Sequence, residues 1–114
     1  MHKVKSNTVG GGGLKYDGDK PKFNLLPAEA LLAEAQVLTV GAVKYSANNW
    51  RQGIEYSRLL DAVARHLNSY NLGERYDPES GLNHLAHARA SLGFLLAYDE
   101  NPETYESFND LPSY

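Results

Sequence analysis

The sequence predicts an all-α fold, a small bundle of about three main helices. Three segments carry apolar residues at helical spacing, turn-forming residues separate them, and strand signals are scarce. At 114 residues the chain can close one hydrophobic core but hardly two. One helical domain over residues 14–100 is therefore expected.

Before it, residues 1–13 end in the run Gly10 to Gly13 and are expected as a flexible arm, which cannot bury enough to order itself. The following stretch, KYDGDKPKFNLLP, is turn-prone through Gly18 and Pro21. The first helix should start at Pro27, whose fixed φ suits a first helical turn, and run through PAEALLAEAQVLTVGAVKYS. Leu31, Glu34, Ala35, Leu38 and Ala42 recur at helical spacing, although Val37, Thr39, Val40 and Gly41 lower the propensity of its second half.

The second helix, in YSRLLDAVARHLNSYNLG, has Ser57 as the expected N-cap and Gly73 past its end. Leu59, Leu60, Val63, Leu67 and Tyr70 share one face. The third should open at Asp77-Pro78-Glu79, where Asp caps, Pro fits the first turn and Glu favours the positive end of the dipole. Leu82, Leu85, Leu92, Leu95 and Leu96 supply its apolar face. The tail, residues 101–114, is acidic, holds two prolines and is expected as surface loop.

Composition excludes several classes of function. The hydrophobic share of 42% is broken into short runs, and none approaches the roughly 18 apolar residues of a membrane span. The N-terminus is basic and then glycine-rich, without a signal-peptide pattern, so a cytoplasmic location is expected. The chain has no cysteine, which excludes disulfides, thiol nucleophiles and cysteine-bound zinc; any metal must use His, Asp or Glu. A net charge of −3 removes the broad electrostatic case for direct DNA binding, while small phosphorylated ligands stay possible.

The segment RHLNSYNLGERYDPESGLNHLAHARASL holds three of the four histidines. His84 and His87 are three apart on one helix and project from one face. The short connection should pack the second and third helices antiparallel, bringing His66 toward that pair with Glu74, Asp77 and Glu79 at the rim. Such a set suits a divalent metal, with Glu74, Asp77, Glu79, His84 and His87 as candidate ligands. A structural reading stands beside it, in which the acids cap or solvate and the histidines satisfy internal hydrogen bonds.

Other polar residues suggest a nucleotide site. Lys15, Lys20 and Lys22 can hold phosphate oxygens, or can simply solvate a loop. Around the first connection lie Lys44, Tyr45, Asn49, Trp50, Arg51 and Arg58. The indole can stack on a base while the cations neutralise phosphate, or it can serve as a lid on the core. No glycine-rich phosphate loop of the P-loop kind is present, because the glycine run lacks the following Lys-Ser/Thr and precedes no strand.

The succession LKYDGDKPKFNLLP, GAVKYSANNW, SRLLDAVARHL and GERYDPESGLNHLAHA resembles the phage-associated family named for the N-terminal domain of dATP/dGTP diphosphohydrolase. The likeness runs from about Leu14 to Tyr98, and its motifs include Arg65-His66. It implies a phage or prophage protein that hydrolyses purine deoxynucleoside triphosphates to monophosphate and pyrophosphate during replication, related in style to the all-α MazG-like pyrophosphohydrolases. It implies a divalent cofactor, Mg²⁺ or else Mn²⁺, and Arg65 among the substrate-binding residues. The MazG-like pattern E-E-x-x-E is absent here, and the E-x-x-D spacing of Glu74 and Asp77 falls in an expected loop. A hydrolytic site would therefore combine His66 and Glu79 as catalytic groups with the other histidines. The alternative is a non-catalytic module that binds or sequesters purine nucleotides. The thin core of about 75 ordered residues points to a homo-oligomer, a dimer or higher.

Overall fold

Apolar residues at helical spacing form helices at all three expected places in the computed structural model, which describes residues 18–113. Helix α1 spans Ala28–Tyr45, α2 Tyr56–Asn71, α3 His84–Asp99 and the short α4 Pro102–Tyr105. Single 3₁₀ turns occupy Phe23–Leu25, Asn49–Gln52 and Glu106–Phe108. Among the described residues there is no strand, only an isolated bridge between Tyr76 and Asn83. The glycine-rich arm and Lys15 lie outside the described residues.

Helix α3 is the centre of the bundle, with α2 along one side and α1 along another. Stacking of Tyr56 on Tyr98 at one end, and pairing of His66 with His84 at the other, makes α2 and α3 antiparallel. Arg89 Nε donates to Glu34 Oε1 at 3.0 Å and ties α1 to α3. Pro27 is the cap of α1 rather than its first helical residue: its carbonyl accepts from Ala30 and Leu31 N–H.

The core sits at the aromatic end. Tyr56, Leu59, Tyr98 and Tyr105 are buried there, with Trp50, Ile54, Phe94, Leu95 and Phe108 packed around them. Tyr98 is fully buried, and its hydroxyl donates to the Trp50 carbonyl at 2.5 Å. Tyr105 donates likewise to the Arg51 carbonyl at 2.9 Å. Two deep phenols thus satisfy the 3₁₀ turn that enters α2, as buried polar tips require.

Three expectations are corrected. First, α3 opens at His84, not at Asp77. Asn83 is its N-cap, accepting from Leu85 N–H at 2.8 Å. Residues 75–84 instead form a tight loop, in which Asp77 N–H donates to Leu82 O, Gly81 N–H to Asp77 O and His84 N–H to Arg75 O. Asp77 and Pro78 start a turn that Gly81, at φ +73°, closes in the left-handed region.

Second, Ser57 does not cap α2; Glu55 holds the cap position. The Ser57 N–H and hydroxyl both donate to the Asp110 carboxylate, at 2.9 and 2.6 Å. A residue far along the chain satisfies donors of this first turn. Third, residues 101–113 are not mere surface loop. Tyr105 is buried and Phe108 packs on the core, with its ring lying where a Cβ on Gly53 would be. The acidic character of the tail concealed two aromatic anchors.

Candidate active site

At the end of the α2–α3 pair away from the aromatic core, the loop 75–84 turns the chain so that both of its flanks face the histidines. His66 comes from the second half of α2, His84 is the first residue of α3, and His87 stands one turn later. His66 and His87 stack with ring centres 4.6 Å apart and planes 8° from parallel. The Nδ1 atoms of His66 and His84 lie 2.8 Å apart, and His84 Nε2 lies 2.8 Å from Glu74 Oε1. Glu74, His84 and His66 therefore form one continuous hydrogen-bonded chain. His84 is buried, with 3% of its surface exposed.

A second branch runs through Ser80, whose Oγ lies 2.7 Å from His87 Nε2 and donates to Asp77 Oδ2 at 3.2 Å. Leu82 N–H donates to the same Oγ at 3.1 Å. Asp77 Oδ2 also lies 3.6 Å from His87 Nε2. Ser80 was not singled out from sequence. The available signal was its place three residues after Asp77 in a turn, where hydroxyls bond back locally.

The electrostatics favour the neutral forms of His66 and His87. Burial holds His66 below the usual histidine range, and charge on His87, His84 or Arg65 pushes the same way against the opposing pull of Asp77. Burial also lowers His87, offset in part by Asp77. For Asp77, burial works against ionisation, but the Glu79 N–H, the Ser80 hydroxyl and the neighbouring imidazoles outweigh it. Its carboxyl is held below the ordinary value.

The arrangement excludes one familiar chemistry. In a serine hydrolase triad the acid and the serine address opposite nitrogens of one imidazole. Here Ser80 and Asp77 both address Nε2 of His87, so Asp77 cannot orient that ring toward Ser80 as a nucleophile. Nor do the donors fit a resident divalent ion. Metal binding needs lone pairs that converge on one point. His84 has both nitrogens engaged, His87 Nε2 faces Ser80, and the exposed Glu79 pairs with Lys44 at 3.7 Å. Among the described residues no group of three or more His, Asp and Glu side chains is arranged to hold a metal.

The residues expected to bind substrate divide between the two ends. Lys44 reaches the loop through Glu79 and lies over the Tyr45 ring, and Arg65 is close enough to influence His66. Trp50 stacks on Phe94 at 5.5 Å with Arg51 over its ring. Of the two roles open to it from sequence, the fold gives the indole a place against the core. Asn49 shares its 3₁₀ turn, and Arg58 pairs with Glu55 at 3.9 Å near the start of α2. At 1.5 Å per helical residue, Phe94 and Tyr98 stand about 10 to 16 Å along α3 from His87. Lys20 is exposed, ahead of the first 3₁₀ turn.

A family model described as dATP/dGTP diphosphohydrolase, N-terminal, matches residues 10–107. The chain belongs to this family. A protein of Salmonella phage PMBT28 named dATP/dGTP diphosphohydrolase is 40% identical over 83 residues. The match covers 73% of this chain and 28% of that relative, so the chain spans well under a third of the relative's length. No solved structure matches the chain. Both branches of the histidine network and, of the two aromatic anchors of the tail, Tyr105 fall inside the region that the diphosphohydrolase family model covers.

Proposed function

We propose that the chain is a phage nucleotide-processing domain that hydrolyses dATP or dGTP to the monophosphate and pyrophosphate. The observation that carries this reading is the Nε2 atom of His66. It makes no hydrogen bond among the described residues and, unlike the Tyr56 hydroxyl, is not a sealed polar atom without a partner. An open imidazole nitrogen near Arg65, in a member of this family, is suited to take a proton from water. The water oxygen bonds to the α-phosphorus while the bond to the oxygen bridging to the β-phosphate breaks. Pyrophosphate leaves with that electron pair, and the proton of the water goes to His66 Nε2.

Arg65 and Lys44 neutralise phosphate charge in this scheme. Glu79, the other expected catalytic group, holds Lys44 rather than a proton. Mg²⁺ or Mn²⁺ enters with the triphosphate as part of the substrate and screens its charge. The test is to incubate the protein with each deoxynucleotide and Mg²⁺ or Mn²⁺ and measure pyrophosphate. Release from dATP or dGTP supports hydrolysis. Tight binding of an unchanged nucleotide supports a binding or sequestering module instead, a reading favoured by the small share of the relative that the chain spans.

The same reading includes self-association in the cytoplasm of a host cell. Helix α1 buries no residue and leaves Leu31, Leu32, Leu38, Val40 and Val43 exposed. Pairing of this exposed apolar surface with that of a second copy would cover part of it symmetrically. Light scattering should give at least a dimer mass; a monomer mass across the concentrations used for activity would contradict it.

A further inference from the structure

The proton positions in the histidine network are fixed by its geometry, and they assign Glu74 and His84 a role other than ligation. A neutral imidazole carries one ring proton, and a carboxylate only accepts. Glu74 Oε1, 2.8 Å from His84 Nε2, requires the proton of His84 on that nitrogen. His84 Nδ1 is then a lone pair, and the 2.8 Å contact with His66 Nδ1 requires the His66 proton on Nδ1. Nε2 of His66 is left as the unprotonated nitrogen. With one proton per ring the two contacts admit no other assignment. A cationic His84 would meet both contacts as well, but it would place a charge in a buried side chain, 4% exposed, beside two further imidazoles, while its one carboxylate partner is half exposed.

We infer that Glu74, acting through His84, locks His66 in the Nδ1–H tautomer and so keeps His66 Nε2 free to accept a proton. Free imidazoles in water favour the other tautomer, with the proton on Nε2, which would block that nitrogen. Glu74 and His84 are thus positioning residues, and His66 is the group they position. When His66 Nε2 takes a proton, its Nδ1–H can strengthen its bond to His84, whose own N–H already points at the Glu74 carboxylate; the positive charge is met by a preformed line of acceptors. The tautomer follows from the hydrogen-bond chain together with the burial of His84, whereas its catalytic use rests on the hydrolase reading above.

Histidine-labelled protein examined by long-range ¹H–¹⁵N correlation, at a pH where imidazoles are neutral, reads each tautomer directly and needs no substrate. His84 is expected as Nε2–H and His66 as Nδ1–H. In Glu74→Met, which removes the acceptor from a half-exposed loop position, His66 should shift toward Nε2–H. A His66 that is Nε2–H in the parent, a doubly protonated His84, or a His66 tautomer unchanged by Glu74→Met would each overturn the inference. Where pyrophosphate release is observed, Glu74→Met should lower kcat roughly ten- to hundredfold with KM nearly unchanged; an unchanged kcat would overturn the positioning role. Absence of any hydrolysis would sink the proposed function and leave the tautomer measurement to decide the network by itself.

Discussion

At one end of the α2–α3 pair Tyr56 stacks on Tyr98 at 5.8 Å, buried among apolar partners; at the other, His66 stacks on His87 at 4.6 Å within a mesh of carboxylates and a serine. The ring contacts are similar, but the energetic roles differ. The phenols remove large apolar area from water, and Tyr98 places its hydroxyl on a backbone carbonyl while the Tyr56 hydroxyl is buried without a partner, so it is their apolar burial that holds the bundle together. The imidazoles gain little by burial, since their nitrogens must be matched by other groups. Matching them fixes protons in place, which is useful for chemistry. One helix pair thus carries a stabilising end and a reactive end, about three turns apart.

Five substitutions and one change of conditions can break or sharpen this contrast. Tyr98→Ala should have the largest effect, about 3–5 kcal/mol of stability by urea denaturation, because it leaves a cavity in the aromatic core and removes one of the two donors to the Trp50 carbonyl. Should its loss be below 1 kcal/mol on the scale of roughly typical surface changes, the aromatic end would not be the stabilising one. His66→Gln should do the reverse. It should reduce pyrophosphate release on the order of a hundredfold, about 2.7 kcal/mol in the barrier, with the urea midpoint nearly retained.

Gly53→Ala comes next, at roughly 1–3 kcal/mol, since Gly53 sits at φ +100° and a Cβ would run into the Phe108 ring. Its thermal unfolding also tests whether the tail belongs to the core: a melting temperature equal to that of the parent would detach Phe108 from it.

Acid should act on the histidine end first. His66 and His87 titrate below the ordinary 6.5 in the folded chain, so the unfolded chain binds protons more readily there. Their contribution to stability is complete above that value and is lost as pH falls through their lowered folded values. Asp77 lies below its ordinary 3.8, so its contribution holds above that point and disappears as pH falls through its folded value. Urea midpoints should decline as pH falls from about 6.5 to about 5 in the parent, and His87→Gln should flatten that decline. A parent midpoint independent of pH over the range would mean that the imidazoles are not buried as neutral groups. The smallest effect belongs to Asp110→Ala. It should lower the melting temperature only slightly, by removing the acceptor for the Ser57 N–H and hydroxyl at the exposed start of α2.

Much of the architecture was legible because helices are local. Leu59 and Val63 are buried on α2 as their spacing implies. The convergence of His66, His84 and His87 was also legible, since a short loop between two helices leaves them little choice but to pack antiparallel. The metal shell read from the same residues was a matter of composition rather than geometry. Sequence spacing places donors on a face but does not reveal that Glu74 turns to His84, Asp77 to Ser80 and Glu79 to Lys44.

What the sequence by itself determined is the helical class, the three main helical segments and the gathering of titratable groups at one end, because each depends on spacing within a few turns. Tertiary structure alone decided where α3 begins, which partner satisfies Ser57, that Tyr105 and Phe108 are core residues, and which ring nitrogens of His66, His84 and His87 meet a partner. These rest on contacts between distant residues such as Ser57 and Asp110, and on hydrogen bonds whose direction is set by the one atom within reach. Local periodicity carries no information about either.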